Sequence, residues 1–186
     1  MSNSIFLIHG YLANTESHWF PWLKAELRSK NKNLVIKPLT NSENPDYLVW
    51  KQDIAKILKD LKIGDSVICH SLGCISTLDV LKDYEGPKLD KLVLVAGFID
   101  QLNAFPGLDD FINQCVLDLN RIKENFEKII VFVSSNDVIV EPILTEKLAH
   151  QLGAELIREQ NAGHFLDSDG YTQFDSLLKV FKTEKL

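Results

Sequence analysis

Val67-Ile68-Cys69-His70-Ser71-Leu72-Gly73 is a short apolar run that breaks at a serine and passes directly into a segment of helical period carrying Ile75, Leu78 and Leu81. Strand, sharp turn and helix, in that order, is the setting of the G-x-S-x-G pattern, a strained corner on which a serine hydroxyl stands clear of a sheet. Small residues two before and two after the serine let the strand and helix backbones approach each other. Gly73 meets the second requirement, while Cys69 replaces the first glycine with a compact apolar side chain. A serine in front of a helix is also a common N-cap. The buried-type strand before Ser71 and the helical pattern after it favour the nucleophile, which gains further from the amides of the helix N-terminus.

Outward from this corner, apolar runs alternate with segments of helical period, the sequence form of successive β-α units around a parallel sheet. Strands are expected at Ile5–Ile8, Leu34–Leu39, Val67–Cys69, Leu92–Val95, Ile129–Val133 and Glu155–Ile157, the last three each continuous and apolar enough to be buried on both faces. A first helix carries Trp19, Trp22, Leu23 and Leu27 around Pro21, a residue tolerated in a first turn. A second, from Tyr47 to Leu61, places Leu48, Ile54, Ile57, Leu58 and Leu61 on one face and ends near Gly64. Helices are expected at 141–152 and 171–182, and an irregular loop with one helix between Phe98 and Phe126. The expected fold class is α/β: about six parallel strands with helices on both faces. Ligand sites in such sheets lie at the C-terminal ends of the strands, beside the point where strand order reverses.

A serine nucleophile needs an imidazole to take its proton. Of the five histidines, His164 sits in Asn161-Ala162-Gly163-His164-Phe165, directly after the sixth strand. His150 lies within a helix, His18 at a helix start and His70 beside the serine, so none of these competes as the base. The base in turn needs a carboxylate to hold its tautomer. Asp137, in the polar turn after the fifth strand, completes the order Ser71, Asp137, His164, which is that of α/β-hydrolases. Asp is also a frequent turn residue. Asp100, after the fourth strand, is the alternative orienter, whereas Asp167 and Asp169 are too near His164 in sequence and Glu141 reads as a first-turn charge.

Acyl transfer also requires amide donors for the oxygen that becomes negative. The amide of Leu72, just after the serine, and that of Tyr11, after His9-Gly10 at the end of the first strand, are the two candidates. His9 and Gly10 then serve as turn-setting residues beside the substrate. Trp19, Phe98, Phe105 and Phe165 are candidates for an apolar acyl pocket, although aromatic side chains are more often core.

At 186 residues, with 45% hydrophobic and 25% charged residues, the chain has the size and composition of one globular domain spanning 1–186. A formal charge of −6 disfavours a nucleic-acid partner. Three cysteines without a CxxC pairing suggest free thiols in a reducing, cytoplasmic compartment and offer no metal site. Met1-Ser2-Asn3-Ser4 and the brief apolar run Ile5–Ile8 do not read as a signal peptide or a membrane span. No metal or cofactor is called for, and the Rossmann alternative fails because His9-Gly10-Tyr11-Leu12-Ala13-Asn14 matches no phosphate-binding glycine pattern.

Ile8-His9-Gly10-Tyr11, His18-Trp19-Phe20-Pro21-Trp22-Leu23, His70-Ser71-Leu72-Gly73-Cys74 and Gly163-His164-Phe165-Leu166 together resemble the YdeN and retinoblastoma-binding-protein-nine group of small serine hydrolases. The resemblance covers nearly the whole chain, and its tryptophan block is more specific than the serine motif. It implies a minimal α/β-hydrolase without a large cap domain, with Ser71, Asp137 and His164 at the triad positions. It implies no particular substrate. Animal relatives bind a pocket protein through L-x-C-x-E; Leu72-Gly73-Cys74-Ile75-Ser76 ends in serine, so that partner is not expected here. The expected activity is hydrolysis of a small carboxylic ester, thioester or related acyl substrate. The competing expectation is a hydrolase-fold protein with weak catalysis that acts mainly through protein–protein binding.

Overall fold

The computed structural model describes residues 3–181. Six strands, β1 (Ser4–Ile8), β2 (Asn33–Ile36), β3 (Ser66–His70), β4 (Leu89–Val95), β5 (Phe126–Ser134) and β6 (Glu155–Glu159), form one parallel sheet in the order β2-β1-β3-β4-β5-β6. The strands are joined by α1 (Phe20–Ser29), α2 (Tyr47–Leu58), α3 (Leu72–Leu81), α4 (Asp109–Gln114), α5 (Leu119–Glu124) and α6 (Pro142–Leu152), and α7 (Asp175–Val180) follows β6.

Strand side chains alternate between two apolar layers because the pleat has period two. Phe6, Ile8, Val67, Cys69, Leu92, Leu94 and Val131 face the layer closed by α2 to α6. Ile5, Leu7, Ile68, Val93, Val95, Ile130 and Phe132 face the layer closed by α1 and α7. A run such as Ile5–Ile8 is apolar throughout because both of its faces are covered. Helix α3 is buried at every position from Leu72 to Asp79, so it lacks the one-sided stripe of α1 or α2.

The chain leaves β1 for β2 on one side and returns to β3 on the other, so the strand order reverses between β1 and β3. Ile8 pairs with Cys69 there, and the turns His9-Gly10 and His70-Ser71 leave the sheet side by side.

Several boundaries depart from the sequence expectation. β2 ends at Ile36 instead of Leu39, because the Leu39 amide turns to the ring of His9. α2 ends at Leu58, and its exposed position Leu48 gives way to Trp50 as a core residue. β6 is an edge strand with exposed Glu155 and Leu156, so it is not buried on both faces. The segment from Phe98 to Phe126 holds two short α-helices and a 3-10 turn at Pro106–Leu108, where one helix was expected. The last helix is confined to Asp175–Val180, and position 182 of the expected one lies outside the described residues, as do Met1 and Ser2.

One buried charge ties that extra segment down. Asp79 on α3 lies 2.6 Å from Lys82 Nζ and 2.9 Å from Lys51 Nζ, and accepts from Tyr47 Oη at 3.0 Å and from the Val116 amide at 3.0 Å. Burial by itself would raise its carboxyl pKa, but the Lys82 and Lys51 ammoniums, the Val116 amide and the Tyr47 hydroxyl outweigh it and hold the group below the ordinary carboxylate range. A depressed carboxylate stabilises the fold above its unfolded pKa of about 4, and that stabilisation is lost as pH falls through the lower, folded value. Asp79→Asn is therefore expected to destabilise the protein by about 1–3 kcal/mol at pH 7. In urea titrations the gap between wild type and variant should shrink as pH is lowered below about 4.

Candidate active site

Ser71 occupies a corner at φ 54° and ψ −128°, a left-handed conformation that only strong surroundings hold for a residue with a β-carbon. Its amide donates to Val95 O at 3.0 Å, and its carbonyl accepts from the Cys74 amide at 2.8 Å. Two glycines provide the space. A β-carbon on Gly73 would come within 2.4 Å of the His9 carbonyl, and one on Gly10 within 2.9 Å of Ser71 Cβ, so the end of β1 and the start of α3 can meet only without side chains there. Cys69 fits at the other variable position because it points into the apolar layer between β3 and the helices.

His164 reaches Ser71 from the loop after β6. Its Nε2 lies 2.8 Å from Ser71 Oγ and its Nδ1 lies 2.7 Å from Asp137 Oδ2. A carboxylate only accepts, so Nδ1 carries the proton and Nε2 offers its lone pair to the serine hydroxyl. The other oxygen of Asp137 accepts the amides of Ile139 and Val140, both at 2.9 Å, which locks the carboxylate in place. All three residues are buried, with Ser71 at 8% exposure the most accessible of them. Asp100 is elsewhere, 2.7 Å from Lys147 Nζ, and the carboxylate beside His164 is that of Asp137.

The loop carrying His164 is fastened by groups that the sequence did not single out. Ser134 Oγ accepts the Ala162 amide, Ser135 Oγ the Asn161 amide and Asn136 Oδ1 the Gly163 amide. Asp169 Oδ2 accepts the amides of His164 and Leu166. His70 Nε2 donates to the His164 carbonyl at 2.9 Å from inside the core. Burial, aided by the neighbouring His164 and His18 rings, holds the His70 pKa well below its ordinary value, so it stays neutral and acts as a strut. The only visible sign of these fasteners is a Ser134-Ser135-Asn136 run where an apolar strand stops.

His9 is a second strut. Its Nε2 accepts the Leu39 amide at 2.9 Å, so the ring proton sits on Nδ1 and is donated to the Gly10 carbonyl, also at 2.9 Å. Burial lowers its pKa, against the Gly10 bond, which favours the neutral ring. With the Gly10 carbonyl held in this way, the trans peptide sends the Tyr11 N–H to the opposite side. Neither the Tyr11 nor the Leu72 amide has a protein acceptor among the described residues.

A cavity of about 250 Å³ opens over this row of groups, lined by Tyr11, Leu12, His18, Ser71, Leu72, Phe98, Leu102, Phe105, Leu108, Ile139, His164 and Leu166. Of the aromatic candidates, Phe98 and Phe105 reach it and Trp19 and Phe165 do not. The latter two pack with Phe174 in the layer under α1 and α7. His9 and Gly10 lie behind the cavity wall, and His18 is a wall residue not anticipated from its place near a helix start. The buried thiols do not compete as nucleophiles: burial pushes Cys69 up to about 12 and raises Cys74 well above its ordinary range. No cluster of metal-binding side chains occurs among the described residues, and no described helix is long and apolar enough to cross a membrane.

Comparison with known proteins agrees with this arrangement at the level of family and fold. Residues 5–183 match the family model described as Serine hydrolase. The chain is 32% identical to the YdeN protein of Bacillus subtilis over 189 residues, covering 99% of both chains. It superposes on the crystal structure of the B. subtilis ydeN gene product with a TM-score of 0.92 at 31% identity, covering 96% of each chain. The mouse alpha/beta hydrolase domain-containing protein 10 has a TM-score of 0.66 at 14% identity, covering 98% of this chain and 92% of that one, a likeness of fold alone. The architecture is thus the minimal α/β-hydrolase expected, without a large cap domain among the described residues.

His9→Phe keeps an aromatic ring but leaves the Leu39 amide without its acceptor and removes the shorter of the two bonds to the Gly10 carbonyl. A loss of about 1–3 kcal/mol is expected, seen as a lower urea midpoint at unchanged slope.

Proposed function

Since the chain belongs to the serine hydrolase family, we propose that it hydrolyses small carboxylic esters or thioesters through a Ser71–His164–Asp137 triad and an acyl-enzyme. The observation that carries this reading is the continuous hydrogen-bonded row, 2.8 Å from serine to imidazole and 2.7 Å from imidazole to carboxylate.

Ser71 Oγ attacks the substrate carbonyl carbon as its proton passes to His164 Nε2. Asp137 stabilises the imidazolium formed, and the Tyr11 and Leu72 amides receive the oxyanion. Collapse of the tetrahedral adduct breaks the bond to the leaving group, which takes the proton from His164. Water then repeats the sequence on the acyl-enzyme, with His164 as base, and releases the acid and free Ser71. The apolar wall of Phe98, Leu102, Phe105, Leu108 and Ile139 suits a short acyl chain. Neither metal nor cofactor enters this mechanism. We further read the whole chain as a single domain of this type acting in the cytoplasm on a small-molecule substrate.

Covalent labelling by a fluorophosphonate probe is expected for wild type and absent for Ser71→Ala; full labelling of the variant would refute the assignment. With a short-chain p-nitrophenyl ester, Asp137→Asn should fold normally yet lose on the order of 10³- to 10⁴-fold in kcat, because the amide favours the wrong tautomer of His164. Absence of turnover across an acyl-length series would favour a protein that binds without catalysing.

A further inference from the structure

His18 lines the same cavity as Ser71 and His164, yet acyl transfer as described assigns it no role. It sits at φ 55° in the loop before α1, a left-handed conformation uncommon among non-glycine residues but one that histidine adopts more readily than most. Its ring stands edge-on to Phe20 and to His70, each 5.5 Å away between centroids, which fixes its plane. Nδ1 receives the Asp167 amide at 3.2 Å. Asp167 Oδ1, 3.3 Å from the same nitrogen, also accepts the Ser168 amide at 2.9 Å; the Asp167 amide can only donate, so it takes the Nδ1 lone pair and leaves the ring proton to Nε2. Burial draws the His18 pKa below its ordinary value, against the pull of Asp167. The neutral ring therefore carries its proton on Nε2. That N–H has no protein acceptor among the described residues.

Position assigns this donor to one end of the substrate. His18 contacts Asp167, in the turn just after His164, and the His18 and His164 rings both flank His70, at 5.5 and 5.1 Å. It thus lines the cavity beside the loop that carries His164, the group that returns the proton to the leaving group in the proposed reaction. We propose that His18 Nε2–H recognises the leaving group, so that the preferred substrates are esters whose alcohol portion carries an oxygen acceptor close to the scissile bond, as in esters of polyols or hydroxy acids. A plain alkyl leaving group leaves the donor unsatisfied when water is excluded. This inference rests on the hydrolase reading above.

The test compares 2-hydroxyethyl butyrate with n-propyl butyrate, which share an acyl group and nearly share a shape, by titrating the acid released. Each kcat/KM is divided by the rate of hydrolysis by hydroxide, to remove intrinsic reactivity. Wild type is expected to favour the hydroxyethyl ester by roughly tenfold, a ratio that falls towards one in His18→Phe and is partly kept in His18→Gln, which retains an N–H donor. A corrected wild-type ratio near one overturns the proposal without recourse to any variant. So does an unchanged ratio in His18→Phe, including equal losses on both esters, which a purely structural role for the ring would produce. Probe labelling of Ser71 without hydrolysis of either ester overturns the substrate assignment alone, whereas absence of labelling overturns the hydrolase reading itself.

Discussion

The backbone corner at Ser71 is the constraint on which the site depends. A non-glycine residue at φ 54° costs about 1–3 kcal/mol and persists only when its surroundings leave no alternative. Those surroundings are the Val95 carbonyl and Cys74 amide on either side of the residue, together with the close approach of β1 and α3 that Gly10 and Gly73 permit. The strain lifts the hydroxyl out of the sheet and turns it towards the loop after β6. Relaxing the corner would return Ser71 to ordinary helix-capping geometry and separate it from His164.

Histidine serves two different purposes within this small region. His164 is held with its lone pair towards Ser71, while His9 and His70 are each locked into one neutral form by a backbone group and kept uncharged by burial. An additional positive charge here would weaken the ability of His164 to become cationic, since like charges at short range in a buried site repel strongly. Neutral imidazoles used as struts provide rigid hydrogen bonding, at both ring nitrogens of His9 and at Nε2 of His70, without that penalty.

The cavity owes its apolar wall to the segment between β4 and β5, which contributes Phe98, Leu102, Phe105 and Leu108. This segment is mostly short helices and turns with little sheet pairing of its own, so its placement relies on packing and on anchors such as the Val116 amide bound to Asp79. The same helix α3 therefore carries the proposed nucleophile at its start and the anchor of the substrate wall two turns later. Changes in that helix couple the two through a rigid element.

The order of the strands, the serine corner, and the chain order of Ser71, Asp137 and His164, which the fold brings into one hydrogen-bonded row, were legible in the sequence, because period-two and helical patterns and turn residues are local properties. Boundaries were less legible where a tertiary partner took a backbone group, as when His9 drew the Leu39 amide out of β2. The same holds where exposure depended on sheet position, as for the edge strand β6. Which aromatic residues line the cavity, the fastening of the His164 loop by Ser134, Asn136 and Asp169, and the arrival of His18 in the cavity were decided only by the fold. The sequence alone determined which reactive side chains are present and in what chain order. Tertiary structure decided which side chains share a cavity, because contacts between residues as distant as His18 and Asp167 depend on loop paths over the sheet that no local pattern records.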